Sequence, residues 1–334
     1  MALVVENRRE RQLKQGGGMD GIDLFTRFEG NPILTPEDWP YLANAVFNAG
    51  AVEIDGETVL LVRVEDMRGM SHLTVARSRD GRTNWEIDPE PTLLPDVENH
   101  PEEIWGIEDP RIVYLEEKGV YAVTYASFSM GGPLVSLAMT EDFKTFDRLG
   151  PIMPPEDKDA SLFPRRFNGL WALIHRPMPS SAGEGAHIWI SFSRDLTHWG
   201  EHRILLPARR GGWWDANKVG LGAQPIETPE GWLILYHGVR VTASGSLYRV
   251  GAALLDLENP SRVLRRTDQW IFGPKEPYER TGDVPGVTFP CGVIVDRERD
   301  ELRMYYGAAD STVALATAKF SEVLDYVLSC PEPR

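Results

Sequence analysis

The sequence predicts an all-β fold, a five-bladed β-propeller with a functional site in its central funnel. Five times along the chain, a turn is followed by an apolar strand that ends abruptly in polar or charged residues. The copies start about 50 to 70 residues apart, a period typical of repeat folds. They span residues 56–62, 119–125, 169–174, 231–236 and 301–306. Because all five units end in polar groups, we expect those groups to meet at one place.

Each repeat is preceded by another apolar strand, which we expect to be the innermost strand of its blade. These strands begin near residues 48–52, 108–113, 159–163, 220–226 and 286–293. A propeller arranges its sheets radially and leaves only short edges, so five inner strands would line a central channel that opens into a funnel. Helical periodicity sustained over a dozen residues is hard to find before Phe320. The segment 25–34 is expected to complete the last blade beside residues 311–320.

A second recurrent pattern, a turn rich in Ser, Thr and Asp, lies between the predicted outer strands of three units. Each copy places Ser or Thr two residues before an Asp, and a Thr and an aromatic residue follow. The copies span residues 76–85, 138–146 and 191–199. Because Asp can accept hydrogen bonds from the backbone of its own turn, while the aromatic ring packs the turn onto the sheet, we interpret the motif as structural.

Composition and charge argue against several classes of binding partner. The chain has 334 residues, of which 42% are apolar, and this content is enough for a large core. A net charge of −15 disfavours nucleic acid and anionic membranes as partners, although a local basic cluster could still bind a small anion. No stretch approaches the roughly 18 apolar residues of a membrane span. The charged N-terminus lacks the pattern of a signal peptide, so we expect a cytoplasmic protein.

We predict one folded domain with a short extension. Residues 8–14 are mostly polar and residues 16–18 are three consecutive glycines, which predicts a mobile tail at residues 1–20. Residues 21–334 would form a single propeller domain that carries the site. The two cysteines, Cys291 and Cys330, are too few for a disulfide framework or a metal site. We therefore expect no metal and no cofactor. An aromatic loop at residues 209–217 could contact either a sugar or a second subunit, so a homo-oligomer is left open.

Residues just before each inner strand and just after its partner strand should face the funnel, because one hairpin joins the two strands. This ring holds Asn48, Arg63, Glu65, Arg68, Asp109, Lys158, Asp159, His175, Arg176, Lys218, Tyr236, His237 and Asp283. Four of its basic residues, Lys158, Arg176, Lys218 and His237, come from adjacent units. Clustered Arg, Lys and His donors suit a tetrahedral oxyanion, which predicts a phosphate site. The alternative is that these charges are only solvated and that the histidine is structural.

Asp109 lies between a candidate for sugar stacking and a rigid proline. Trp105 precedes it and Pro110 follows it in the segment 105–111. An Asp before a proline is more often a turn former than a catalyst. The pattern alone therefore leaves the role of Asp109 open.

Taken together, these motifs resemble glycoside hydrolase family 130, which contains β-mannoside phosphorylases and mannosidases. The resemblance covers about residues 25–325 and rests on the ordered motifs at residues 48–50, 63–66, 106–111, 158–164, 236–238 and 282–290. The family has a five-bladed β-propeller fold, which agrees with the number of repeats. Its phosphorylases use inorganic phosphate to release α-mannose 1-phosphate from β-mannosides, with inversion at the anomeric carbon. The resemblance thus implies phosphate as a co-substrate.

The resemblance also implies roles for individual residues. Asp109 matches the general acid, which protonates the leaving oxygen through a hydroxyl of the bound mannose. The positions that hold phosphate match, or lie near, Lys158, Arg176, Lys218 and His237, with Arg in place of Lys158 in some members. The positions that hold mannose match Asn48, Arg63, Arg68 and Asp283. Tyr248 is expected to contact sugar or phosphate.

These observations lead to one expected function and two alternatives. The expected protein is an inverting phosphorylase that cleaves a short β-1,2- or β-1,4-linked mannoside. Phosphate is itself a nucleophile, so a cationic cradle can replace the carboxylate base that an inverting hydrolase needs. The first alternative is a β-mannosidase that uses water, with Glu108, Glu65 or Asp283 as base. The second is a non-catalytic carbohydrate-binding propeller, since a fold does not establish a function.

Overall fold

The computed structural model describes residues 22–178, 185–243 and 245–333. Within these ranges the strands form five antiparallel sheets, one for each repeat. The predicted five-bladed β-propeller is therefore confirmed. The tail predicted at residues 1–20 lies outside the described residues, and the division into a tail and one domain stays a prediction.

The blades follow one another along the chain, except that the first strand, β1 (Thr26–Arg27), belongs to the last blade. Blade 1 contains β2 (Ala45–Ile54), β3 (Glu57–Glu65), β4 (Ser71–Ser78) and β5 (Glu86–Ile87). Blade 2 contains β6 (Ile107–Leu115), β7 (Val120–Ser129), β8 (Gly132–Thr140) and β9 (Asp147–Met153). Blade 3 contains β10 (Asp157–Leu162), β11 (Trp171–Pro177), β12 (Ile188–Ser193) and β13 (Trp199–Leu206).

The last two blades differ slightly from this plan. Blade 4 contains β14 (Lys218–Leu221), β15 (Ile226–Thr228), β16 (Gly231–Thr242), β17 (Gly245–Leu255) and β18 (Val263–Arg266), and both β14 and β15 pair with β16. Blade 5 contains β19 (Thr288–Asp296), β20 (Glu301–Ala308), β21 (Thr312–Lys319) and β1. The α-helices of the described chain are α1 (Pro277–Arg280) and α2 (Phe320–Ser329), and short 3-10 helices occupy Pro36–Asp38 and Pro101–Glu103.

The inner strands pack closely around the channel, as the repeats predict. Arg111 of β6 reaches blade 4, where its Nε donates to the Gly222 carbonyl at 2.9 Å and its Nη2 to the Leu221 carbonyl at 3.2 Å. In β2, Gly50 lies so near β6 that a Cβ atom there would be 2.8 Å from the Pro110 carbonyl oxygen. Only glycine fits at this contact, because any side chain at this position would push the backbone of β6 away.

Bulges in three inner strands turn polar side chains into the channel. The strand register shifts between Phe47 and Gly50, between Glu108 and Arg111, and between Lys158 and Ser161. Within these bulges Asn48, Asp109 and Asp159 adopt positive φ angles of 49°, 53° and 54°. Asn and Asp tolerate this left-handed conformation better than most residues, and bulges commonly re-aim side chains near functional sites. All three side chains are buried.

The N-terminal strand closes the ring as expected. Thr26 and Arg27 pair with Thr317 and Ala316 of β21, and a single bridge joins Leu34 to Val313. The last blade is thus assembled from both ends of the described chain. Such closure removes an exposed sheet edge.

The Asp-containing turns are structural, as interpreted from the sequence. The Asp80 carboxylate accepts hydrogen bonds from the backbone amides of Arg82 and Thr83, each at 2.8 Å. Asp142 and Asp195 accept equivalent bonds from the amides two and three residues later. Each turn therefore satisfies its own backbone donors and needs no ligand.

Both cysteines are buried and free. In the parts of the chain that the structure describes, no helix is long and apolar enough to cross a membrane. The same residues contain no group of three or more His, Cys, Asp or Glu side chains arranged to hold a metal ion.

Candidate active site

Asp109 lies at the centre of a buried hydrogen-bond network in the funnel. Its Oδ1 accepts a hydrogen bond from Asn48 Nδ2 at 2.9 Å and another from Arg63 Nη1 at 3.1 Å. Arg63 also donates from Nη2 to Glu108 Oε1 at 3.1 Å, and its guanidinium lies 4.5 Å from the ring centre of Phe47. Two blades therefore bring together the predicted acid and two of the residues predicted to hold the sugar.

The surrounding charges decide the protonation state of Asp109. Burial raises the pKa of this carboxyl, but the positive charges of Arg63, Arg111 and Lys158 outweigh burial, and the pKa lies below its ordinary value. Without a bound ligand, Asp109 is therefore ionised at neutral pH. A proton-donating role requires a ligand that offsets those positive charges.

Three of the predicted phosphate residues form a basic cluster beside Asp109. Lys158 and Arg176 are register partners in β10 and β11, and Lys218 begins β14 of the next blade. Burial and the nearby positive charges of Arg176 and Lys158 lower the pKa of Lys218 to about 8. Glu108 links the cluster to Asp109. Its Oε2 lies 3.9 Å from Lys158 Nζ, and its Oε1 contacts Arg63, which also contacts Asp109. An anion bound here would relieve the repulsion among the three cations.

The fourth residue predicted to bind phosphate, His237, lies in the protein interior. Its side chain is fully buried, and its ring centre is 4.5 Å from that of Phe289. Burial, together with the positive charges of Arg176 and Lys218, lowers the pKa of His237 to about 3. The imidazole is therefore neutral at physiological pH and could contribute a hydrogen bond but no charge. Its Nε2 lies 3.4 Å from Asp159 Oδ2, at the back of the basic cluster.

The other residues predicted to bind the sugar contact groups other than Asp109. Tyr248 is half-buried beside the basic cluster, with Lys218 Nζ 5.1 Å from its ring centre. Asp283 lies in an exposed loop and accepts a hydrogen bond from Asn44 Nδ2 at 3.0 Å. Arg68 is 75% exposed and pairs with Asp66. Trp105 is 43% exposed and packs edge-on against Phe128.

Sequence reasoning missed the role of Arg111. Its side chain is almost fully buried, and its Nη1 donates to the backbone carbonyl of Asp109 at 2.7 Å. Arg111 thus supports the bulge that aims Asp109, while its other nitrogens bond to blade 4. The available signal was a charged residue inside an otherwise apolar inner strand, where an unpaired charge would be costly.

Asp310 also faces this site, although no role was assigned to it. It lies in the turn between β20 and β21 with a positive φ angle of 50°. Burial and the negative charge of Asp109 raise the pKa of Asp310 to about 6. The sequence placed Asp310 at the polar end of the fifth repeat, but residue type alone did not distinguish it from a solvated turn residue.

Two of the three carboxylates considered as a base for water, Glu108 and Glu65, lie close to the acid. Glu108 and Glu65 lie 3.1 Å and 3.5 Å from Arg63 Nη2, and the same guanidinium holds Asp109. Both therefore lie on the side of the acid. An inverting hydrolase needs its second carboxylate across the sugar ring, with space for water between the two groups.

The family model and the curated relatives that match this chain are all described as mannoside phosphorylases. A family model described as β-1,4-mannooligosaccharide phosphorylase matches residues 19–329. The β-1,4-mannooligosaccharide phosphorylase of Ruminococcus albus is 35% identical over 316 residues, which cover 93% of this chain and 92% of that protein. The β-1,2-mannobiose phosphorylase of Listeria innocua is 36% identical over 356 residues, with 89% and 97% covered.

Solved structures agree with the sequence relatives. The complex of Listeria innocua β-1,2-mannobiose phosphorylase with β-1,2-mannobiose has a TM-score of 0.81 at 34% identity, covering 91% of this chain and 99% of that chain. A structure from the family 130 glycoside hydrolases that target β-1,2-mannosidic linkages in Candida mannan has a TM-score of 0.77 at 27% identity, with 89% and 94% covered. From the extent of the family match and the identity to these relatives, we conclude that the chain belongs to glycoside hydrolase family 130.

Proposed function

We propose that this protein is an inverting β-mannoside phosphorylase, which cleaves a short β-mannoside with inorganic phosphate to give α-mannose 1-phosphate. The observation that carries the proposal is the basic cluster of Lys158, Arg176 and Lys218 beside Asp109. Arg offers a fork of donors to phosphate oxygens and Lys a point charge, so the three residues make a cradle for a tetrahedral anion.

In the proposed reaction, a phosphate oxygen attacks the anomeric carbon of mannose from the α face while the bond to the leaving sugar oxygen breaks. Asp109 supplies the proton for that oxygen through a hydroxyl of the mannose, while Asn48 and Arg63 orient the sugar. The cradle holds phosphate against the oxocarbenium-like transition state, which contributes both orientation and electrostatic stabilisation. The role of His237 is limited to a hydrogen bond, since its imidazole is neutral.

Bound phosphate would also shift Asp109 toward the protonated state that the reaction needs. In the free protein, positive charges including that of Lys158 keep the pKa of Asp109 below its ordinary value. A phosphate anion bound at Lys158 opposes that charge, so it raises the pKa of Asp109 and favours the protonated acid. Acid catalysis is therefore coupled to phosphate binding in this proposal.

The arrangement of charges favours phosphorolysis over hydrolysis. Glu108 and Glu65 both contact the guanidinium that holds Asp109, whereas Lys158, Arg176 and Lys218 form a cationic cluster suited to bind an anionic nucleophile. The named relatives from Ruminococcus albus and Listeria innocua are likewise phosphorylases. One is named for β-1,4 and the other for β-1,2 linkages, so we propose both linkage types as candidate substrates. The cytoplasmic location and independence from metal ions stay predictions.

A panel of mannobioses tests the proposal. β-1,2- and β-1,4-mannobiose are incubated with and without phosphate, and mannose 1-phosphate and free mannose are both measured. We expect mannose 1-phosphate only when phosphate is present, and the faster substrate identifies the preferred linkage. Free mannose released equally without phosphate would instead identify a mannosidase, and binding without any turnover would identify a carbohydrate-binding propeller.

A further inference from the structure

Lys158 lies between two buried aspartates that contact the same arginine. Asp157 is 3% exposed and Asp159 is 2% exposed. The Oδ1 atom of Asp157 accepts a hydrogen bond from the backbone amide of Arg176 at 3.0 Å. The Oδ2 atom of Asp159 accepts one from Arg176 Nε at 2.7 Å and lies 2.6 Å from Nη2. Arg176 is therefore held at both its backbone and its guanidinium.

The carboxylate of Asp159 occupies one edge of the Arg176 guanidinium and fixes its plane. A guanidinium carries five donors in a rigid fork, so a carboxylate on the Nε and Nη2 edge sets the direction of the remaining Nη1 group, which contacts Met178 Sδ. Burial raises the pKa of Asp159, but the positive charges of Arg176, Arg111 and Lys158 outweigh burial, so the pKa lies below its ordinary value. The carboxylate is therefore charged at neutral pH.

The backbone around Asp159 is shaped to admit this carboxylate. Asp159 lies on the left-handed bulge of β10, with a φ angle of 54°. Across from it, Gly220 of β14 leaves the space that the carboxylate fills, because a Cβ atom there would lie 2.3 Å from Asp159 Oδ2. Two strands of adjacent blades therefore accommodate one buried side chain.

Asp157 is fixed in turn by a hydrogen-bond chain that crosses blade 3. Its Oδ2 lies 2.6 Å from His175 Nδ1, and His175 Nε2 lies 2.7 Å from Ser191 Oγ. This chain ties the start of β10 to β11 and β12. The amide of Arg176 is therefore bonded to an acceptor that has little freedom to move.

We propose that Asp159 and Asp157 are positioning residues for the phosphate site, Asp159 by orienting the Arg176 guanidinium and Asp157 by fixing the Arg176 backbone. Neither residue touches the reacting atoms. Both contact Arg176, and Asp159 Oδ1 also lies 3.6 Å from Arg111 Nη2. The inference rests on the proposed function, because it takes Arg176 as a ligand of phosphate.

The main test is the kinetics of the Asp159→Asn variant, with phosphate and mannobiose varied independently. Loss of a charge-assisted hydrogen bond to Arg176 is expected to raise the KM for phosphate about 10- to 100-fold. The KM for mannobiose should change by less than about threefold, because Asn48, Arg63 and Asp109 keep their contacts. A phosphate KM that is unchanged or lower overturns the proposal, since removing a negative charge without disturbing Arg176 would strengthen anion binding.

A double-mutant cycle separates positioning from a general structural effect. If Asp159 acts through Arg176, the Asp159→Asn change should raise the phosphate KM less than about twofold in an Arg176→Ala background. An equal rise in both backgrounds overturns the proposal.

The Asp157→Ala variant provides an independent test if Asp159→Asn does not fold. We expect its phosphate KM to rise while its mannobiose KM stays within about threefold. Equal rises in both KM values overturn the role of Asp157.

Asp215 offers a matched control, because it is another buried aspartate bonded to arginine. Its Oδ2 lies 2.7 Å from Arg266 Nη2 and 3.2 Å from Arg209 Nη1. The Asp215→Asn variant should lose stability but keep the wild-type phosphate KM.

Failure of the proposed function is recognised separately, because the wild-type enzyme would then form no mannose 1-phosphate. In that case calorimetric titration of inorganic phosphate into wild type and Asp159→Asn decides the inference, and equal affinities overturn it.

Discussion

At Asn48, Asp109 and Asp159 the chain leaves the regular strand conformation, and each departure places a polar group in the funnel. A bulge breaks the alternation of side chains along a strand, so a residue that would lie within the sheet is aimed elsewhere. The residue types are those that tolerate a left-handed backbone. Sequence inspection found all three as polar residues near inner strands, but it could not locate the bulges, which depend on pairing with the neighbouring strand.

The role of Asp109 is tested by an isosteric change. Asp109→Asn keeps an oxygen that can accept from Asn48 and Arg63 but removes the proton that the acid donates. We expect kcat to fall by about 10²- to 10⁴-fold, with the affinity for mannobiose nearly unchanged. Steady-state kinetics and calorimetric binding measure the two quantities. Retention of full activity would refute the assignment.

The pKa of Lys218 predicts an alkaline limit for phosphate binding. This lysine has its pKa lowered to about 8 in the free protein, so it loses its charge as the pH rises through that value. The kcat/KM for phosphate should therefore fall above about pH 8. In Lys218→Arg the guanidinium stays charged, and the fall should move to higher pH. An unchanged alkaline limb in this variant would contradict the assignment of Lys218.

At the scale of elements, the closure of blade 5 depends on a two-residue strand and on the ion pair beside it. Arg27 of β1 donates from Nε to Glu279 Oε1 at 2.8 Å and from Nη2 to Glu279 Oε2 at 2.9 Å. The Glu279 side chain is fully buried and also accepts a hydrogen bond from Tyr306 at 2.8 Å. Backbone hydrogen bonds flank this short strand, from Phe28 N to the Leu315 carbonyl and from Ile33 N to the Val313 carbonyl, each at 2.9 Å. The buried carboxylate adds a charged contact to this closure.

Removing Arg27 should therefore destabilise the propeller. Arg27→Ala leaves the buried Glu279 without its cation, which we expect to lower the free energy of unfolding by about 3 kcal/mol. Arg299→Ala is the control, because Arg299 is 82% exposed and pairs only at the surface with Asp296. Its effect should stay below about 0.5 kcal/mol. Urea unfolding measures both, and equal losses would show that the closure does not depend on Arg27.

At the scale of the whole molecule, the sequence predicted the architecture better than the site. Blade number, inner strands and ring closure follow from a repeated apolar pattern, because every blade must pack in the same way. The burial of His237 could not be predicted, since it depends on Phe289 from the next blade. The contact of Asp159 with Arg176 likewise depends on a bulge and on the space beside Gly220. The environment of the site residues thus depends on contacts between blades and on local bulges, which the repeat pattern does not show.

Phosphate is the proposed nucleophile, and the stoichiometry of the products is the sharpest test of that role. β-Mannobiose is treated with the enzyme in phosphate buffer, and phosphorus NMR follows the sugar phosphate while released mannose is quantified. We predict one α-mannose 1-phosphate for each mannose released, and no cleavage when phosphate is omitted. Two free mannose molecules per mannobiose, formed at the same rate without phosphate, would contradict the account.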